Sequence, residues 1–295
     1  PSAASSNATP MKKALKILGV ALAGLIALVL VGFVAASFQA SSRLERTFET
    51  HDFTLPVPYP LDADEIAAVR AKQPDVTDDA LTALAQERAI ARGKHLVEAR
   101  YGCNGCHGLD FAGGEMIDDP AIGHVLGPNI TTGAGSRVLK YTPRDWDRIV
   151  RHGVKPDGKP AVMPSDDFFK MSDRELSDVI VYITSRPAVS RTVDAPSFGP
   201  VGKVLVALGK FPLSAYGHPD HQRAHADAPP TTADNTEFGE HLAGICSGCH
   251  RANLAGGPMT FGPPDWPAAG NLTPHADGIG SWSYTDFERS LTQGV

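Results

Sequence analysis

Cysteine is scarce in this chain: four among 295 residues, and all four fall in two short clusters, Cys103 with Cys106 and Cys246 with Cys249. No thiol is left over for a structural disulfide or for a nucleophilic thiolate. Positive charge is not in excess either. A formal net charge of −6 gives no support for nucleic-acid binding. Runs of β-branched residues are few, whereas 29 glycines and 24 prolines are many, which suggests short helices joined by structured loops. With 42% hydrophobic residues, the chain can bury two modest cores.

One stretch lacks charge altogether. From Ile17 to Ser42 no ionisable side chain occurs, and Leu, Ile, Val, Ala, Gly and Phe dominate. About 20 such residues in a helix cross the hydrocarbon core of a bilayer. Lys12, Lys13 and Lys16 precede the run, and Arg43, Glu45 and Arg46 follow it with mixed sign. The excess of positive charge on one side places residues 1–16 in the cytoplasm and everything after the 17–42 anchor across the membrane. A cleaved signal peptide is the rival reading, but its apolar region spans only about 7–15 residues. The run here is longer and no convincing A-x-A site follows it, so an uncleaved single-pass anchor is expected. Met11 followed by two lysines reads as a natural start, and residues 1–10 read as a tag or an upstream extension.

The clusters themselves are Cys103-Asn104-Gly105-Cys106-His107 and Cys246-Ser247-Gly248-Cys249-His250. Cys-x-x-Cys-His is the attachment signature of a c-type haem: two thiols add across the haem vinyl groups, and the next residue offers an imidazole to the iron. A zinc site needs four N or S ligands, so one cluster could serve only with help from elsewhere. A redox dithiol needs a βαβ setting, and the flanking sequence reads as helices and glycine-rich loops. Two attachment sites imply two haems, hence electron transfer. Haem c is attached on the far side of the bacterial inner membrane, the side to which the charge rule assigns both clusters. The periplasm is the expected location of the haem domains.

Residues 43–76, with Pro56, Pro58, Pro60 and Pro74 and a short helical stretch near 61–72, read as a stalk. Thr77-Asp78-Asp79 offers an N-cap and an acidic first turn for a helix running to about Tyr101. A loop over 108–140 follows the first cluster. Thr142-Pro143 starts a second helix, with threonine as N-cap and proline at its first position, and Gly153 ends it. Ser172-Asp173-Arg174-Glu175 is a capping box opening a helix with a stripe of Leu176, Val179, Ile180 and Ile183, stopped by Pro187. Residues 77–187 thus form one domain. Residues 188–235 connect it to the next, with a short apolar helix near 198–211 able to dock on either domain. His218, His221 and His225 lie in a polar, proline-flanked loop and read as solvated linker ahead of a metal site.

From residue 236 the pattern restarts. Gly239-Glu-His-Leu242 repeats Gly93-Lys-His-Leu96, and Asn271-Leu-Thr273 repeats Asn129-Ile-Thr131. Ser283-Tyr-Thr-Asp286-Phe287-Glu288-Arg289 repeats Thr142-Pro-Arg-Asp145-Trp146-Asp147-Arg148, and Gly294-Val295 repeats Gly153-Val154. A tandem duplication of one haem domain is expected, with the second copy at 236–295 cut short.

Gly-Pro-Asn-Ile-Thr at 127–131, Val-Met-Pro at 162–164 and Asn-Leu-Thr-Pro at 271–274 extend a resemblance beyond the haem motif, over roughly residues 85–295. The sequence resembles membrane-anchored dihaem cytochromes c built from two class I-type domains, and in particular the cytochrome subunits of periplasmic quinoprotein and flavoprotein dehydrogenases. The resemblance implies an all-α fold, an N-terminal transmembrane helix followed by two tandem class I cytochrome c-like domains. In each, the first helix crosses the last, with Gly93 and Tyr182 at the crossing. It implies two covalent haem c groups, held by Cys103, Cys106, Cys246 and Cys249, with His107 and His250 as proximal iron ligands. Pro128 matches the residue whose carbonyl takes the hydrogen of the ligating imidazole; Gly270 stands at that place in the second copy. Met163 is the expected distal ligand of the first haem, ahead of Met116 and Met171 as core filler, with His152 as an outside alternative. In the second copy the matching ligand falls beyond Val295, and Met259 aligns instead with Met116. Among Arg137, Lys140, Arg148 and Arg151, Arg148 is the favoured propionate partner, since Arg289 repeats it.

The function expected is a membrane-tethered periplasmic electron carrier, not itself an enzyme. Its donor would be a dehydrogenase or a quinol-oxidising complex, and its acceptor a cytochrome or oxidase. Two alternatives stay open: a dihaem peroxidase-like enzyme with an open second haem, and a structural or assembly subunit of a larger complex.

Overall fold

The structure is a computed structural model that describes residues 8–217, 220–233, 235–259 and 265–294; for 8–11 and 235 only the backbone is described. About half of the residues are helical. The expected tag at 1–10 falls mostly outside the described residues, as do His218 and Val295.

Two compact units emerge, and neither is continuous in sequence. The first comprises residues up to Arg46, Met116–Val125 and Ala195–Pro212. Its α1 (Ala8–Glu45) contains the uncharged run and is, among the described residues, the one helix long and apolar enough to cross a membrane. Ile17, Leu22, Leu28 and Val34 are exposed on its surface, so the protein itself provides no core for them. A helix apolar all round suits a lipid surrounding.

The second unit comprises Thr47–Glu115, Leu126–Asp194 and Leu213–Val295. Its elements begin with α2 (Ala63–Lys72), set by an Asp62–Glu65 capping box, and α3 (Asp78–His95), capped by Thr77. A π-helical turn, Leu96–Arg100, leads to the short α4 (Asn104–His107). The expected loop after the first cluster contains β1 (Gly114–Asp119) and β2 (Gly123–Gly127), most of whose residues belong to the first unit. Then come α5 (Pro143–His152) and α6 (Asp173–Ser185), each opened by a capping box at Thr142 and Ser172. A cap of this kind contributes about 1 kcal/mol.

Back in the first unit, β3 (Ser197–Phe198) pairs antiparallel with β2 through Gly123–Phe198 and His124–Ser197, giving the sheet order β1-β2-β3. The all-α expectation is therefore met only in part. The sheet forms because the turn at Asp119–Ile122, closed by Asp119 on the amides of Ala121 and Ile122, folds Gly114–Gly127 back on itself. The short apolar helix is α7 (Pro200–Ala207). It packs beside α1 and against the same turn, where Val201 N–H donates to Ala121 O at 2.8 Å. Gly202 permits that approach, because a Cβ there would overlap the Ile122 carbonyl. The second unit resumes with α8 (Asn235–Ala243), α9 (Ser247–His250) and α10 (Tyr284–Gln293).

The second unit is held by the crossing of α3 and α6. Gly93 lies at the contact: a Cβ there would stand 2.7 Å from Tyr182 Cβ and overlap the Asp178 carbonyl. Arg92 forks onto Asp178 at 2.6 and 2.9 Å. Leu176, Val179, Ile180 and Ile183 are all buried, joined by Val97, Phe111, Trp146, Val150 and Met171. Each such side chain contributes about 1.5–3 kcal/mol. The expected stalk does not stand apart. Leu55 enters this core, Ser177 donates to Pro56 O, and Glu65 pairs with both Arg88 and Arg174. Its apolar and acidic residues have partners on α3 and α6, so the segment folds back instead of remaining extended.

Candidate functional site

His107 ends α4 half-buried. Its Nδ1 stands 2.8 Å from Pro128 O, so Nδ1 carries the hydrogen and donates. That fixes the tautomer and leaves Nε2 with a free lone pair, the form that binds a metal. Burial lowers the His107 pKa further against a smaller opposing effect of that hydrogen bond, which keeps the ring neutral. Cys103 and Cys106 are free of any disulfide, and Cys103 packs against the core of the second unit, as does Met163. The loop that presents Pro128 is pinned by Asn129, fully buried. Its amide donates to the carbonyls of Val189 and Arg191 at 2.8 and 2.9 Å, and its Oδ1 accepts from Thr131 N–H at 2.9 Å. Gly114 passes so close that a Cβ would sit 2.7 Å from Cys106 O.

The same local structure recurs at the second cluster. His250 Nδ1 meets Gly270 O at 2.7 Å. Asn271 Oδ1 accepts from Thr273 N–H at 2.9 Å, and Leu272 N–H donates to Leu254 O as Ile130 does to Phe111 O. Phe111 and Leu254 share a left-handed φ of 58° and 57°, and Gly153 and Gly294 cap α5 and α10 at φ 64° and 71°. The environments differ. Trp146 is 5% exposed where the matching Phe287 is 39%, and Val150 is 6% where Leu291 is 70%.

The segments that precede the two clusters meet in the second unit around a buried charge group. Arg100 donates to Glu175 Oε1 at 2.6 Å and to His241 O at 2.9 Å, and His241 Nε2 stands 3.0 Å from the same Glu175 oxygen. Lys170 pairs with Glu240 at 3.1 Å. The Asp167 carboxyl, pushed up to about 6 by burial and by Asp166, faces Gly248 inside the second cluster.

The family model described as cytochrome C oxidase, cbb3-type, subunit III matches residues 88–183. Residues 88–183 are a cytochrome c domain. The match takes in Cys103–His107, Pro128 and Met163 and stops short of the second cluster. Such a domain carries haem c covalently, and the free cysteine pair with a neutral, carbonyl-oriented histidine fits that group. Among curated proteins the chain is similar to the fructose dehydrogenase cytochrome subunit of Gluconobacter japonicus, 28% identical over 72% of this chain and 46% of that protein. It is 29% identical to the alcohol dehydrogenase (quinone), cytochrome c subunit of Gluconacetobacter polyoxogenes, over 74% of this chain and 49% of that protein. It is 27% identical to the gluconate 2-dehydrogenase cytochrome c subunit of Pantoea cypripedii, over 71% and 52%. The chain spans about half the length of the curated relatives it matches.

Other candidates around the cytochrome c domain sort by their partners. Arg148 donates to Pro156 O at 3.2 Å, while its buried Nε has no hydrogen-bond partner among the described residues. Arg151 is fully buried between Asp147 and Asp173, so it is spoken for; Arg137 and Lys140 are exposed. Met171 is 2% exposed in the core, and Met259 is half-buried. His152, the outside alternative for the distal ligand, lies among other histidines. It is fully buried, with Nδ1 3.3 Å from His221 Nδ1 and Nε2 3.2 Å from His225 Nε2. His221 and His225 are thus packed, not solvated linker. The sequence held no spacing signal for this, because His51, His152 and His225 converge from distant segments. Burial, then the neighbouring imidazoles, takes His152 down to about 2; burial and Arg151 take His225 down to about 3.

Proposed function

We propose that the protein is a membrane-tethered, periplasmic dihaem cytochrome c that serves as the electron-transfer subunit of a dehydrogenase oxidising an alcohol or sugar-type substrate. The relatives, named as cytochrome subunits of fructose, alcohol and gluconate dehydrogenases, support the partner class. The observation that carries the haem count is the repeated histidine–carbonyl pair, His107 with Pro128 and His250 with Gly270.

Haem c, when bound, supplies a one-electron carrier. The chain's residues provide the rest. Cys103, Cys106, Cys246 and Cys249 form the thioethers, and His107 and His250 present Nε2. The Pro128 and Gly270 carbonyls orient those rings and raise their basicity. Met163 is assigned as distal ligand of the first haem, and Arg148 as partner of a propionate through its unpartnered Nε. No acid, base or nucleophile is required, since outer-sphere transfer moves no heavy atom. The helix α1 is assigned as the inner-membrane anchor, with the clusters on the periplasmic side.

Haem per chain, measured by pyridine haemochrome on protein matured with the haem-ligation machinery, tests this reading. Two haems are expected in the wild type and one in Cys246→Ala/Cys249→Ala. A single haem in the wild type overturns it. Recovery of a dehydrogenase with the solubilised chain tests the partner, and its reduction by that enzyme's substrate tests the direction of electron flow.

A further inference from the structure

Three histidines from distant segments converge in the second unit: His51, His152 at the end of α5, and His225. One ring nitrogen from each lies within 4.8 Å of the others. Two imidazole nitrogens on a tetrahedral zinc ion, each about 2.0–2.1 Å from the metal, stand roughly 3.3 Å apart. His152 Nε2 and His225 Nε2 are 3.2 Å apart. Asp147 adds a carboxylate whose Oδ2 lies 3.7 Å from His51 Nε2 and 3.8 Å from His152 Nε2. Among the described residues that oxygen and both ring nitrogens of His51 are buried without a hydrogen-bond partner, although the other Asp147 oxygen accepts from Arg151 at 2.7 Å.

The hydrogen bonds around His152 require more protons than neutral rings supply. His221 Nε2 donates to Ala215 O at 2.9 Å, so His221 Nδ1 carries a lone pair. His152 meets it at 3.3 Å, a contact that works only if His152 gives its N–H there. His152 Nε2 is then a lone pair directed at His225 Nε2, while the His225 ring gives its own N–H to the Phe169 carbonyl. Two lone pairs 3.2 Å apart repel each other; a shared cation between them turns the repulsion into two bonds.

We propose that His51, His152 and His225 bind a divalent transition-metal ion of the zinc type, with Asp147 Oδ2 as fourth ligand or counter-charge. Neither ring nitrogen of His51 has a hydrogen-bond partner among the described residues, so the ring can turn to close the remaining distance while the His51 N–H stays bonded to His221 O at 3.0 Å. The ion would act as a staple. It would join the segment before α2, the end of α5 and the connection after residue 213, adding to hydrogen bonds such as His51 N–H to His221 O. Three imidazoles and a carboxylate suit zinc, and copper or nickel would compete by intrinsic affinity.

The test uses the full-length, haem-loaded chain in detergent, without a polyhistidine tag, stripped with chelator and then given zinc chloride. Elemental analysis after desalting should find about one zinc per chain, and zinc K-edge absorption should report about three imidazole nitrogens. His225→Ala and His51→Ala should each weaken zinc binding on the order of 100-fold, while His124→Ala, an exposed histidine outside the cluster, should leave it unchanged. Zinc should also raise the thermal midpoint of the wild type and not that of His51→Ala. The haem spectrum of each variant checks that it has folded; if His225→Ala has not, His51→Ala decides. Failure of the wild type to retain zinc overturns the proposal, and so does binding that is unchanged in a folded His51→Ala.

Discussion

His241 Nε2 stands 3.0 Å from Glu175 Oε1, joining the helix before the second Cys-x-x-Cys-His cluster to the helix that closes the cytochrome c domain. Burial pushes the Glu175 carboxyl up, yet the hydrogen bonds from His241 and from the Ser172 backbone, with the Arg100 charge, outweigh it and hold the carboxyl below its ordinary value of 4.5. A carboxyl lowered on folding stabilises the protein fully above its unfolded value and loses that contribution as pH falls towards the folded one. Glu175→Gln, which keeps the reach to Ser172 and removes the charge, should cost on the order of 3 kcal/mol at neutral pH, because it leaves the largely desolvated Arg100 without its counter-charge. Thermal unfolding measured from pH 7 to pH 3 should show the gap between wild type and variant closing below about pH 4.5.

Gly93 sets how closely α3 and α6 approach. The methyl of Gly93→Ala would overlap the Asp178 carbonyl and crowd Tyr182 Cβ at 2.7 Å, and both atoms belong to a helix wedged into the core. Forcing the helices apart should cost about 1–3 kcal/mol. Denaturant titration should show a lower midpoint with an unchanged slope, and the Arg92–Asp178 fork should be weakened with it.

Asn129 and Asn271 occupy the same place in the two copies, but their substitution should differ in cost. Asn129 is buried and bonds Val189 and Arg191 across some 60 residues of chain as well as Thr131. Asn129→Ala strands those buried groups and should cost about 1–3 kcal/mol. Asn271 makes only the local bonds to Thr273 among the described residues, so Asn271→Ala should cost under about 1 kcal/mol. Thermal midpoints of the two variants, with haem yield at the first site as a second readout, check the asymmetry.

The helices were legible because their signals are local. Thr77, Thr142 and Ser172 cap the helices that their sequences announce, and Gly153 ends α5 in the left-handed region. The sheet was not, since β1 and β2 are short and glycine-bounded, and β3 has two residues; pairing partners 75 residues apart leave no local trace. The two Cys-x-x-Cys-His clusters stand out in the sequence because the pattern is local and needs no long-range partner. His51 and His152 were not seen to join His225 for the opposite reason. The prolines of segment 43–76 announce extension, while Leu55 and Glu65 find their partners only once α3 and α6 are in place.

Met163 follows the buried Ala161 and precedes the 3₁₀ turn at Ser165–Asp167, and its position is fixed at the backbone. Its carbonyl accepts from Ser214 Oγ at 2.6 Å, and Ser165 N–H bonds Ser214 Oγ at 3.1 Å. The thioether is half-buried against the same core as Cys103, whereas Met171 is sealed within it. A thioether ligand is soft and favours ferrous iron. Met163→Ala should therefore abolish the methionine-to-ferric-iron charge-transfer band and open the first haem to carbon monoxide. Met163→His should keep the haem six-coordinate and lower its potential on the order of 100 mV, within the range axial ligands command. Met171→Leu should change neither spectrum nor potential. Optical titration of the three variants separates the ligand from the core filler, and an unaltered spectrum in Met163→Ala would remove Met163 from the iron.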